Sequence, residues 1–137
     1  MTLWQPGMTI TASRMQDATP WVPLTSVGAY QGGASDGPAQ PMVRDSYVRD
    51  ELVREFKGII NFSGVTTAAY TFFTFSTAYQ QAYERNWAAA GFGQTGTFRV
   101  YLSTAGNWAI TGQAGSVTSI RLDGFEIKSA TGTLPAS

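Results

Sequence analysis

From Met42 to Lys128 apolar and polar side chains alternate in short runs cut by turn residues, a pattern few folds accept. Side chains along a strand point to opposite faces in turn, so each run describes a strand with one face buried. Phe98, Val100 and Leu102 alternate with Arg99, Tyr101 and Ser103. Thr104-Ala105-Gly106-Asn107 is a turn, and Trp108 and Ile110 carry the apolar face onto the return strand. Met42–Arg49 and Leu52–Ser63 read as the arms of a hairpin turning at Asp50-Glu51. Phe56, Gly58, Ile60 and Phe62 share one face of its second arm. Val65–Phe75 combines Tyr70, Phe72, Phe73 and Phe75 with threonines, which favours strand. Tyr79–Gly91 stays open between a helical turn at Gln80–Arg85 and a strand at Asn86–Ala89. In Val117–Lys128 the inward residues are even-numbered at Ile120 and Leu122 and odd-numbered at Phe125 and Ile127. That flip across Asp123-Gly124 predicts a β-bulge, with Gly124 at positive φ.

The 137 residues suit one domain with a short appendage. There is no cysteine and no histidine, which removes disulfides, thiolate nucleophiles, imidazole bases and the usual zinc ligands. Nine basic residues balance nine acidic ones, leaving no electrostatic footprint for nucleic acid. No apolar run approaches the roughly 20 residues of a membrane span. The start, Met1-Thr2-Leu3-Trp4-Gln5-Pro6-Gly7, lacks the basic and apolar regions of a signal peptide, so a cytoplasmically made protein is expected. A surface this poor in charge favours self-association.

The organisation expected from these signals has four parts. Residues 1–23 form an attachment arm whose apolar members Trp4, Met8, Ile10, Met15 and Trp21 need a partner surface. Residues 24–41 are a strand followed by a Gly/Pro-rich linker, residues 42–130 the sandwich, and residues 131–137 a flexible tail.

The ordered series Arg44, Phe56-Lys57-Gly58-Ile59-Ile60, Phe98-Arg99-Val100-Tyr101-Leu102 with Gly106, and Leu122-Asp123-Gly124-Phe125 resembles the C-terminal β-sandwich of minor tail proteins and tail fibres of long-tailed, notably actinobacterial, bacteriophages. The opening Trp4…Pro6-Gly7-Met8-Thr9-Ile10-Thr11-Ala12 is similar to the start of short actinophage virion proteins. The resemblance implies an all-β, antiparallel, jelly-roll-like sandwich assembled as a homotrimer on a virion. Within it Gly58, Asp123 and Gly124 are structural. Arg54 stands where the family has a valine, and Phe75–Gln81 lacks the family's two prolines. Such an arginine either turns outward at a bulge or pairs with an acid such as Glu126 or Asp45, possible partners within the chain or across a subunit boundary.

Little in the sequence points to catalysis. Gly91-Phe92-Gly93-Gln94-Thr95-Gly96 matches a nucleotide-loop spelling, but the following Thr97–Ser103 alternates as a strand where a helix is needed, so it reads as a turn. Asp45, Asp50, Glu51 and Glu55 interleave with Arg44, Arg49 and Arg54, which reads as a mutually neutralising, solvated surface. No metal or cofactor is expected. Tyr79, Tyr83, Arg85 and Asn86 are the candidate ligand-binding residues, because aromatic rings stack on sugar faces while amide and guanidinium groups read hydroxyls. Trp87 and Trp108 are assigned to the core. The function expected is a non-enzymatic virion protein, a trimeric tail or fibre component that docks on other virion proteins through its arm and presents the sandwich to host polysaccharide. The alternative is a capsid decoration protein or head fibre.

Overall fold

The computed structural model describes residues 18–48, 51–65, 69–92, 97–112 and 117–134. Its strands are β1 (Val22–Pro23), β2 (Gly28–Tyr30), β3 (Ser35–Asp36), β4 (Met42–Val48), β5 (Glu51–Lys57), β6 (Ile59–Val65), β7 (Tyr70–Phe75), β8 (Arg85–Ala89), β9 (Gly91–Phe92), β10 (Phe98–Leu102), β11 (Asn107–Thr111), β12 (Val117–Arg121) and β13 (Glu126–Lys128). Every pairing is antiparallel, and the fold is a β-sandwich. One layer has the order β2-β7-β11-β10-β8. The other consists of β1-β4-β5-β13 and β3-β6-β12-β9, which run into each other where β5 passes into β6 and β12 into β13.

That passage is a crease built around Gly58. Its φ of +104° is one L side chains avoid, and a Cβ there would lie 2.4 Å from the Gln40 carbonyl oxygen. The Gly58 N–H donates to Asp123 Oδ1 at 3.0 Å, and its carbonyl accepts from the Leu122 N–H at 2.8 Å. Opposite it, Leu122–Phe125 closes a turn through the Phe125 N–H and the Leu122 carbonyl, with Gly124 at φ +91°. Arg121 faces Ile59 and Glu126 faces Glu55, so five steps on one strand match four on the other. The single extra residue accounts for the parity flip, and Leu122, Phe125 and Ile127 are all buried. The sequence expectation of one bulged strand is corrected in form: the insertion is a tight turn separating two strands.

The interior is organised around Trp108, which is fully buried. Its ring lies 4.9 Å from Phe56, 5.3 Å from Phe72 and 5.6 Å from Phe75 between centroids. Adjacent Phe72 and Phe73 are both fully buried, where a regular strand with one covered face buries only alternate residues. The ladder between β11 and β7 slips at Trp108/Ala109 and turns both rings inward.

Arg54 shares its face with Phe56 and is fully buried, as is its register partner Asp45. The pair is bidentate, Nε to Oδ1 at 2.8 Å and Nη2 to Oδ2 at 3.0 Å. Two further guanidinium N–H groups reach the carbonyls of Thr131 (3.0 Å) and Gly132 (2.8 Å), and the Leu134 N–H donates to Asp45 Oδ2 at 2.8 Å. Of the arginine's two sequence-level readings, the pairing with Asp45 within one chain is the one observed. The solvated reading of the acidic cluster is corrected at Asp45.

The expected boundaries also shift. Leu24 and Val27 are fully buried, and β2 and β3 take places in the two layers. Residues 32–41, expected as a linker, are thus built into the sandwich; of the strand expected before them, Leu24–Ser26 is a 3-10 turn and Gly28–Tyr30 is β2. Trp21 packs beside its own domain's Arg44 and Lys57, 4.5 and 4.4 Å from its ring centre, and is not part of a detached arm. Residues 131–134 are fixed by Arg54 and Asp45 where a flexible tail was expected, with Leu134 buried.

The Tyr30 hydroxyl donates to Asp36 and ties β2 to β3. Burial, then this hydrogen bond and the charge of Asp36, holds that hydroxyl protonated far above the usual tyrosine range.

Three outcomes follow from these contacts. Asp45→Ala leaves Arg54 charged and sealed in, and should cost about 3–5 kcal/mol in urea denaturation. Gly58→Ala should cost more than about 1 kcal/mol by the same measurement, since neither φ nor space suits a methyl group. A proton held more tightly when folded gives stability that is complete below about pH 10, the ordinary tyrosine value, and is lost above it. Circular dichroism should therefore show stability declining as pH rises beyond that value, and Tyr30→Phe should make the decline shallower.

Candidate functional site

Of the four residues singled out for ligand binding, Arg85 and Asn86 border one groove, while Tyr79 and Tyr83 lie apart from it. Tyr79 closes a 3-10 turn, Thr77–Tyr79, with the Arg54 guanidinium 5.1 Å from its ring centre. The turn is held by Gln81, whose Nε2 donates to the Tyr79 carbonyl at 2.8 Å and whose Oε1 accepts the Thr131 N–H at 2.9 Å. Tyr79 is a wall of the ion-pair chamber. Tyr83 is 73% exposed. Arg85 turns toward the other layer and donates to the Lys128 carbonyl at 2.8 Å. Asn86 alone faces outward on β8 as part of a cluster. The open question over Tyr79–Gly91 resolves into that 3-10 turn followed by β8.

The cluster lies on the outer face of the five-stranded layer. Alternation on β10 buries Phe98, Val100 and Leu102 and turns Arg99 and Tyr101 outward. The register sets Asn86 beside Tyr101 and Ala88 beside Arg99, with Thr111 on the far side of Arg99. Arg99 Nε donates to Asn86 Oδ1 at 2.6 Å, and Nη2 donates to Glu84 Oε1 at 3.1 Å. The guanidinium carbon sits 4.7 Å from the centre of the Tyr101 ring. Two hydrogen bonds and a stacking contact thus hold the arginine in one pose while it stays half exposed. Beside it is a hollow of about 510 Å³, bordered by Ala88, Thr97, Arg99, Thr111 and Gly112. It exists because the neighbours of Arg99 are small.

A flat sheet surface carrying an aromatic ring, an amide, a carboxylate and a fixed guanidinium has donors and acceptors for hydroxyls and a ring surface for a sugar's apolar side. Among the described residues, no group of three histidine, cysteine, aspartate or glutamate side chains is placed to hold a metal ion. No helix among them is long and apolar enough to cross a membrane. Gly91-Phe92 of the nucleotide-loop spelling is strand β9, and residues 93–96 lie outside the described residues. So do the arm residues Trp4, Met8, Ile10 and Met15. Trp87 is half-buried and stacks on Phe125 with centroids 5.4 Å apart.

Sequence reasoning missed Arg99, Tyr101 and Glu84. The outward parity of Arg99 and Tyr101 is readable in the chain. The pairing of β8 with β10, which brings Asn86 and Glu84 to them, is not.

No family model matches the chain, and no curated protein matches it by sequence. Among solved structures, its fold is similar to that of the receptor binding protein (gp15) of Listeria phage PSA, with a TM-score of 0.60 at 16% identity. The likeness covers 83% of this chain and 66% of that one, and at this identity it is a likeness of fold.

Proposed function

We propose that the chain is a non-enzymatic structural protein of a phage virion, a tail or fibre component that self-associates as a trimer and presents a sugar-binding face to the host surface. The observation that carries this reading is the shared sandwich, spanning 83% of the chain, with a phage receptor binding protein. The Arg99–Tyr101–Asn86–Glu84 cluster supports it by supplying an exposed, pre-oriented group of the kind that reads polyols. The ligand is a host-cell polysaccharide. Single contacts of this type are weak, and joining copies in one rigid particle raises the effective affinity without new contacts. Attachment to other virion proteins falls to the segment preceding Ala18.

Binding of purified protein to host cell walls tests the ligand. Arg99→Ala and Tyr101→Ala should each weaken retention by about tenfold or more, the loss of one charge-assisted bond or stacking contact per site. Tyr79→Phe should leave it unchanged. Equal retention of all variants would overturn the assignment of the face. Antibody labelling of virions at capsid vertices or capsomers would replace the tail assignment by the capsid one.

A further inference from the structure

The same five-stranded layer ends in an edge that natural sheets rarely leave bare. Among the described residues β8 pairs only with β10, in an unbroken ladder from Arg85↔Leu102 to Ala89↔Phe98, and no strand lies on its outer side. An uncovered edge is normally blunted by lysine, proline, a bulge or extreme shortness. The opposite edge, β2, is three residues long and leads into Gly32-Gly33. β8 has five residues, no bulge and one charged side chain, and that side chain is drawn aside to the Lys128 carbonyl. Alongside it the two layers do not close. A groove of about 390 Å³ runs between β8 and β13, bordered by Glu84, Arg85, Asn86, Trp87, Gly124 and Glu126. At Gly124 even an added Cβ would meet nothing within 4 Å.

The chain carries a segment of matching form. Met8-Thr9-Ile10-Thr11-Ala12 is five residues long, uncharged and alternating, with Met8, Ile10 and Ala12 on one face and threonines on the other. On an added strand the apolar set would fill the groove toward Trp87 and Phe125. The threonines would continue the outward row of Asn86 and Ala88.

Geometry decides whose segment it is. Ala18 bridges Ser46 of β4, beside β1, at the edge of its layer opposite β13. Arg85 bonded to Lys128 places β8 over β13, on the far side. The six steps from Ala12 to Ala18 reach at most about 21 Å. Passing round a four-stranded sheet and up one layer takes about 24 Å before any side chain is cleared. We infer that the β8 edge accepts residues Met8–Ala12 of a second copy of this chain as an added strand, each copy giving its segment to the next. Giving and receiving surfaces differ, so in the proposed trimer the contact is head-to-tail and the three copies form a ring. This rests on the self-association part of the proposed function; the edge adjoins the proposed ligand face at Glu84 and Asn86.

The chain has no cysteine, so engineered thiols report without background. Full-length Thr9→Cys and Ala88→Cys proteins, mixed in equal amounts and oxidised, should form the mixed disulfide. Thr9→Cys mixed with Ala29→Cys, exposed on the opposite edge, should not. Thr11→Cys serves as the second register. Ile10→Lys would carry an unpaired charge into the groove and should weaken assembly by more than about a hundredfold in light scattering, at unchanged melting temperature and unchanged wall binding per monomer. The inference is overturned if the wild-type protein is a monomer, if Ile10→Lys assembles normally, if neither register cross-links above the Ala29 control, or if a Thr9→Cys/Ala88→Cys double variant closes its disulfide within one chain. Loss of wall binding by Arg99→Ala with assembly intact bears on the ligand alone.

Discussion

A guanidinium and a carboxylate sealed inside an apolar sandwich dictate much of the rest. Neither can be left alone there, since an uncompensated buried charge costs several kcal/mol. Asp45 and Arg54 satisfy each other first, side by side on β4 and β5. Their remaining valences are what the chain between Ala130 and Leu134 is folded to fill, with two carbonyls for the cation and one N–H for the anion. Gln81 and Tyr79 close the chamber from the side, Gln81 by gripping Thr131 and Tyr79 by covering the guanidinium. One charged pair thereby ties together four segments: β4, β5, the turn at Tyr79–Gln81 and the chain from Thr131 to Leu134. A hydrophobic pair of equal volume would offer no such directions.

The division of labour between the two layers follows from their shapes. The creased layer bends at Gly58 and the Leu122–Phe125 turn and wraps the aromatic cluster around Trp108. The five-stranded layer presents its outward rows as a face with small residues around Arg99. Its open edge is a separate surface with different chemistry, backbone groups and a groove where the face has a cation and a ring. The two surfaces adjoin along β8: Glu84 and Asn86 of the outer cluster also border the groove, and Trp87 borders both hollows.

Much of the fold is legible in the chain because it is local. The alternation of Phe98–Leu102 and Trp108–Ile110 gives the hairpin β10–β11, and the parity flip between Leu122 and Phe125 gives the inserted residue. What is not legible is long-range. The Gly/Pro composition of residues 32–41 suggests a linker. Yet Gly37 and Ala39 bond to the backbone of Ile59, and neighbouring Leu24 and Val27 are core residues. Thr131 and Gly132 look like a loose end because nothing near them in sequence shows the arginine they serve. The outer cluster around Arg99 is hidden in the chain for the same reason. Tyr79, Tyr83, Arg85 and Asn86 are neighbours in the chain, whereas Arg99 meets Asn86 and Glu84 only across a strand pairing.

The separation between Arg54 and the carbonyls that complete it is 77 and 78 residues, and between Asp45 and the N–H of Leu134 it is 89. A nascent chain emerges from the ribosome in order, so the acid and the base appear early and their remaining partners much later. Until residue 134 has cleared the exit tunnel the chamber has no lid, and water must solvate the pair in its place. The sandwich can thus finish folding only after that residue has emerged, and a chain stalled before it cannot seal its own interior.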